Sequence, residues 1–229
     1  MLGTIVNSAA IIIGTFLGIL LKTGIPDKIK HTIMQGIGLS VMLIGLSMAM
    51  KTQNVIIVIL SLAIGGIIGE VFAIEDRLKN AGEWLEERVG QNQGDFTRGF
   101  VTTSLIFCVG AMAIMGALES GLTGNHTTLF AKSALDGITS IVFASSMGIG
   151  VAFSALPVFI YQGLITLTAA SMKVFLTDAI IREITATGGV LILGIGLNIL
   201  EITKIKVGNM LPAIIGAVFL TVLMARFPF

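Results

Sequence analysis

IMQGIGLSVMLIGLSMAM, residues 33–50, and VIIVILSLAIGGIIGEVFAI, residues 55–74, are two apolar runs separated only by the tetrapeptide KTQN. Lys51 and Glu70 are the only charged residues in this stretch. Crossing a hydrocarbon core of ~30 Å takes about 20 helical residues, so each run predicts one transmembrane helix and the KTQN loop a tight turn at a membrane surface. Composition extends this reading to the whole chain of 229 residues. It is 55% apolar and 12% charged, with a mean hydropathy of +0.99, whereas soluble domains carry about 25% charge. An all-α membrane protein is expected.

Working outward, apolar runs bounded by charge or turn residues place eight spans, with seven as the alternative count: 2–21, 33–50, 55–74, 100–118, 133–150, 154–170, 184–200 and 207–225. The 33 residues from Ile138 to Ala170 carry no charge and are too long for one straight span. Gly148, Gly150 and Pro157 are the expected breaks there, since Gly and Pro weaken helices where cavity water or protein can satisfy the backbone. The polar segment 75–98 repeats Leu78, Ala81, Leu85 and Val89 at helical spacing beside Trp84, which predicts an interfacial amphipathic connector. The first span lacks a basic n-region and an evident cleavage site, so it is expected to be retained.

The opening stretch also matches a later one at an offset of 151 residues. Gly38 aligns with Gly189, Ile44-Gly45-Leu46 with Ile195-Gly196-Leu197, Thr52 with Thr203, Leu60 with Leu211, and Ile64-Gly65 with Ile215-Gly216. Corresponding spans are five places apart in the eight-span reading, so the copies enter the membrane in opposite senses. An inverted repeat is therefore expected, with repeat A over about 1–74, central spans over 99–153 and repeat B over about 154–229, all in a single polytopic domain. Such repeats build many secondary transporters, with the site near the midplane. Gly14/Gly18 and Gly65/Gly69 form small-xxx-small faces that suit helix packing within the chain or a homodimer. Lys and Arg number nine on one set of loops and five on the other, which puts both termini outside.

An ionisable group inside a span costs ~3 kcal/mol on insertion scales, so the exceptions to the loop-confined charge mark a candidate site. They cluster between Glu119 and Gln162. Lys132, Asp136 and either Thr139 or Ser140 share one helix face, with Ser133 beside them. Lys four residues before Asp is the weaker order for a helix pair, so helix stability is a poor reason for it. Asp136 is read as the acceptor for a cation, a proton or a substrate amine, with Lys132 setting its charge and Glu119 contributing; a structural ion pair is the competing reading. Tyr161 and Gln162 could donate to a ligand, or serve as an interfacial anchor and interhelical glue. Asn7 and Asn198 could line the same cavity.

Several classes are excluded or unsupported. The balance of 14 basic and 13 acidic residues provides no field for nucleic acid. Cys108 is the only cysteine, so no intramolecular disulfide forms and no Cys-type zinc site is expected. His31 and His126 lack companions at metal-ligand spacing. No P-loop, HExxH or GxSxG motif is present, so the chain is not expected to be an enzyme or to need a cofactor. The expected cargo is a small ion or polar metabolite. An oligomeric channel and a non-transporting scaffold or sensor remain as alternatives.

The segments GAMAIMGALESG (110–121), KSALDGITS (132–140), GIGVAFSALPV (148–158) and YQG (161–163), with the opening MLGTIVNSAAIIIGT, resemble the bacterial inner-membrane family catalogued as domain of unknown function 554. The resemblance runs through Gly110, Glu119, Lys132, Asp136, Gly148, Tyr161 and Gln162. It implies a multi-pass bacterial plasma-membrane protein with an expected transport role and no assigned substrate.

Overall fold

The computed structural model describes residues 1–22, 27–89, 95–108, 111–172 and 176–226, and within them every regular element is helical. Gly110, Lys173 and residues 90–94 of the connector lie outside the described residues. The helices are α1 (Leu2–Lys22), α2 (Asp27–Ala49), α3 (Val55–Val71), α4 (Ile74–Val89), α5 (Asp95–Cys108), α6 (Ala111–Thr123), α7 (Thr127–Met147), α8 (Gly150–Phe153), α9 (Ala155–Met172), α10 (Asp178–Ile199) and α11 (Pro212–Arg226), with a 3₁₀ turn at Val207–Met210 before α11. Side-chain caps start two of them. Asn54 accepts a hydrogen bond from the Ile56 N–H at the head of α3, and Thr177 does the same for Ile180 at α10.

Among the described residues, four helices are long and apolar enough to cross a membrane, or up to six when each bent pair is taken as one span. Fewer qualify than the eight runs suggested. The apolar part of α2, Met34–Ala49, is short, and the run 100–118 is not one helix: α5 and α6 meet at 60°. Polar and apolar surfaces are distributed as a bilayer requires. Ile13, Phe16 and Leu20 of α1, Ile59 and Ile67 of α3, and Phe219 and Leu223 of α11 are exposed, whereas Asn7, Lys132, Asp136 and Gln162 are buried. A water-soluble protein would reverse that placement.

The chain groups into two compact units, each made of discontinuous segments: 1–34 with 79–175, and 35–78 with 176–229. In the first unit, Gly3, Gly14 and Gly18 of α1 meet Leu129, Gly137 and Ile141 of α7 in the same order, so these helices run parallel. A Cβ at Gly14 would fall on the Gly137 carbonyl, and one at Gly18 on the Ile141 carbonyl. α6 lies on α9, and α5 on α8, where the Phe96 and Phe153 ring centroids are 5.2 Å apart with the rings tilted by 60°. α4 is the expected amphipathic helix; its Arg88 guanidinium sits 4.6 Å over the Trp84 ring.

In the second unit, α2 and α10 approach through glycines in reciprocal pairs. A Cβ built on Gly45 would meet the Gly189 carbonyl at 2.7 Å, and one on Gly196 would meet the Gly38 carbonyl at 3.0 Å. The pairing of a later residue on one helix with an earlier one on the other makes the helices antiparallel. α3 and α11 are antiparallel in the same way, with Gly65 against Ala213 and Gly69 against Asn209. Both small-xxx-small faces thus pack within the chain.

Candidate functional site

Three helices of the first unit bring one polar face each to a common seam. Spacing along each helix sets these faces: Thr4 and Asn7 on α1 are three apart, Lys132, Asp136 and Ser140 on α7 four apart, and Gln162 and Thr166 on α9 four apart. α1 packs on both α7 and α9. The glycine contacts of α1 let the backbones close far enough for short polar side chains to meet. All seven residues are buried.

At the centre, Lys132 Nζ donates to Asp136 Oδ2 at 2.6 Å, and both residues are less than one-tenth exposed. Asn7 Nδ2 donates to the same Asp136 Oδ2 at 3.0 Å and to Gln162 Oε1 at 3.3 Å. Lys132 Nζ also lies 5.9 Å from the centroid of the Phe107 ring, an attractive position for a cation. Ile11, Phe107, Ala155 and Val158 form an apolar core of the same unit. The surroundings therefore hold two opposite charges in a buried setting, where removing either would leave the other uncompensated.

The seam is not saturated. Thr4 Oγ1, Asn7 Oδ1, Ser140 Oγ, Gln162 Nε2 and Thr166 Oγ1 are buried polar atoms without a hydrogen-bond partner. Each such group costs ~1–3 kcal/mol unless a water or a ligand meets it.

The other expected site residues go elsewhere. Glu119, expected beside Asp136, instead ties the α6–α7 turn: its carboxylate accepts from Asn125 Nδ2 at 2.6 Å and from Thr128 Oγ1 at 2.7 Å. Asn198 belongs to the second unit. Its amide accepts from the Ile205 N–H and donates to the Ile205 carbonyl, holding the loop after α10. Ser133 turns back to the Leu129 carbonyl, and Tyr161 is half-buried. Among the expected helix breaks, Gly148 ends α7 with φ 79° and ψ −153°. Gly150 opens α8 in close approach to the Phe96 carbonyl. Pro157 falls in the first turn of α9, where a missing N–H leaves no intrahelical bond unmade, so it does not break the helix.

Sequence reading missed three buried polar features. Thr4 and Thr166 are buried one turn from Asn7 and Gln162 at same-face spacing, and helical spacing would have found them. Glu183, one residue before the expected span 184–200, is buried in α10 and accepts from Thr52 Oγ1 at 2.6 Å and the Gln53 N–H at 2.9 Å. Glu70 accepts from Lys206 Nζ and Asn209 Nδ2, both at 2.6 Å. That bond holds the exposed Lys206 ammonium above its ordinary pKa. Among the described residues, no group of three or more His, Cys, Asp or Glu could hold a metal ion.

Comparison with known proteins finds relatives over nearly the whole chain. Residues 2–222 match the family described as "Protein of unknown function (DUF554)". A Bacillus subtilis (strain 168) relative named "Uncharacterized membrane protein YdfK" is 38% identical over 219 residues, covering 94% of this chain and 93% of its own length. An Escherichia coli (strain K12) relative named "Uncharacterized protein YqgA" is 31% identical over 221 residues, covering 94% of both. No solved structure matches.

Proposed function

The chain belongs to the family described as "Protein of unknown function (DUF554)", and on that footing we propose that it is a secondary transporter of a small polar solute across the bacterial plasma membrane. One observation carries this reading: the buried Lys132–Asp136 pair, bridged through Asn7 to Gln162, sits among unpartnered polar atoms in an otherwise apolar helical body. Intramembrane ionisable groups are expensive, and function is the usual reason for keeping them. The solute binds at this seam, and the unsatisfied donors and acceptors are met when it does.

The second unit is an inverted repeat in this proposal. Support comes from the four aligned glycines, which meet as Gly45 with Gly189 and Gly38 with Gly196 across antiparallel helices. Reciprocal contacts of this kind are what a two-fold axis in the membrane plane generates. The loop charge bias places both termini outside.

The test is reconstitution into vesicles and a screen of radiolabelled ions and polar metabolites. Uptake that falls to the empty-vesicle level in Asp136→Ala, while Glu119→Gln keeps the wild-type rate, supports the seam as the site. If Asp136→Ala transports as wild type does, the seam is not the site.

A further inference from the structure

We infer that the seam between α1, α7 and α9 takes a small zwitterion, a solute carrying an ammonium and a carboxylate on a short spacer. This rests on the transport reading above and names its substrate class. Charge comes first. Lys132 and Asp136 cancel, and the other seam residues, Thr4, Asn7, Ser140, Gln162 and Thr166, are uncharged. A solute with net charge would bring an uncompensated charge into a site where both ionic residues are more than nine-tenths buried, which is strongly disfavoured. A solute with zero net charge carries no such penalty.

Hydrogen-bonding capacity narrows the class. Lys132 Nζ has three N–H donors and directs one at Asp136 Oδ2. Asp136 Oδ2 accepts from both Lys132 and Asn7, while Oδ1 accepts no hydrogen bond among the described residues. On the two amides, Asn7 Oδ1 is an unpartnered acceptor and Gln162 Nε2 an unpartnered donor. The seam thus offers a cationic and a neutral donor, and an anionic and a neutral acceptor. A carboxylate satisfies Lys132 and Gln162 Nε2, and an ammonium satisfies Asp136 and Asn7 Oδ1. A simple cation would use only the acceptors and a simple anion only the donors, leaving the rest buried and unpaired. Thr4 and Thr166, one turn along their helices, supply hydroxyls that can act in either role.

Purified full-length protein is heated with glycine or β-alanine as zwitterionic probes, with glycine methyl ester as the cationic analogue, and with N-acetylglycine as the anionic one. Ligand that binds the folded state raises the unfolding temperature. The expected result is stabilisation by a zwitterion, with apparent affinity about tenfold or more weaker for the ester and the acetyl compound, and weaker by about tenfold in Asn7→Leu and in Gln162→Leu. Glu119→Gln is expected to bind as wild type does. Should the amide variants fail to fold, the ester and acetyl comparison on the wild-type protein carries the test. Equal binding of either net-charged analogue overturns the inference, as does absence of zwitterion binding. Asp136-dependent uptake of a net-charged solute without zwitterion binding would sink the inference and leave the transport reading standing. No uptake of any solute by wild-type vesicles would sink both.

Discussion

Removing the Lys132–Asp136 pair as a unit should leave the protein about as stable as before, while removing either member alone should not. Both residues are more than nine-tenths buried and share a 2.6 Å charge-assisted hydrogen bond. In Asp136→Leu the Lys132 ammonium keeps only the Phe107 ring, and Asn7 Nδ2 loses its bond to Asp136. In Lys132→Met the Asp136 carboxylate keeps only Asn7. Breaking one side of a buried pair costs about 3–5 kcal/mol. At roughly 2–4 °C per kcal/mol for a chain of this size, each single variant should unfold on the order of 10 °C below wild type.

The double variant Lys132→Met/Asp136→Leu replaces both charges with apolar groups of similar volume. Desolvation then no longer opposes folding, so stability should return to within about 1 kcal/mol of wild type or exceed it. The coupling energy of the cycle is therefore about 5 kcal/mol or more. Thermal unfolding in detergent, followed by the fraction that stays monodisperse on size exclusion, gives all four corners. The double variant should also be inactive in uptake. A double variant as unstable as the two single losses added together would refute the reasoning: the pair would then hold the fold together, and no ligand would be needed to explain it.

Two backbone predictions follow from the helix contacts. Gly14→Val should lower stability by about 1–3 kcal/mol because its side chain meets the Gly137 carbonyl. Gly36→Ala, with open space around the added methyl, should raise it by about 0.5–1 kcal/mol in the same unfolding assay. Gly148→Ala should cost on the order of 1–3 kcal/mol, since φ 79° with ψ −153° is a region essentially reserved for glycine.

These predictions separate what sequence pattern carries from what it does not. Apolar run length and helical period are local, and they were enough to place the long helices and the Lys132–Asp136–Ser140 stripe on one face of α7. Gly148 was legible as a break because its backbone conformation is a property of the residue itself. Partner choice between distant helices is not local. Nothing near Asn7 or Asn198 says that the first meets Asp136, 129 positions away, while the second closes a loop seven residues on. Glu119 was misplaced for the same reason: a carboxylate at the end of an apolar run looks intramembrane until Asn125 and Thr128 are seen to claim it. The bend between α5 and α6 falls in an uncharged run with no proline, so hydropathy had nothing there to stop at. Glu183 was hidden by the opposite error, because a charge at a span boundary reads as solvated unless its loop partners, Thr52 and Gln53, are known.

The most direct test of the seam as a transport site is whether it can be reached from both sides of the membrane. Ser140 is fully buried on α7, one turn from Asp136, with an unpartnered hydroxyl, and Ser140→Cys in a Cys108→Ser background places a near-isosteric thiol there. Sealed vesicles of each orientation are treated with a membrane-impermeant thiol reagent. The account predicts modification from either face, slowed when a transported solute is present. A thiol inert from both faces, or reactive from one alone, would contradict it.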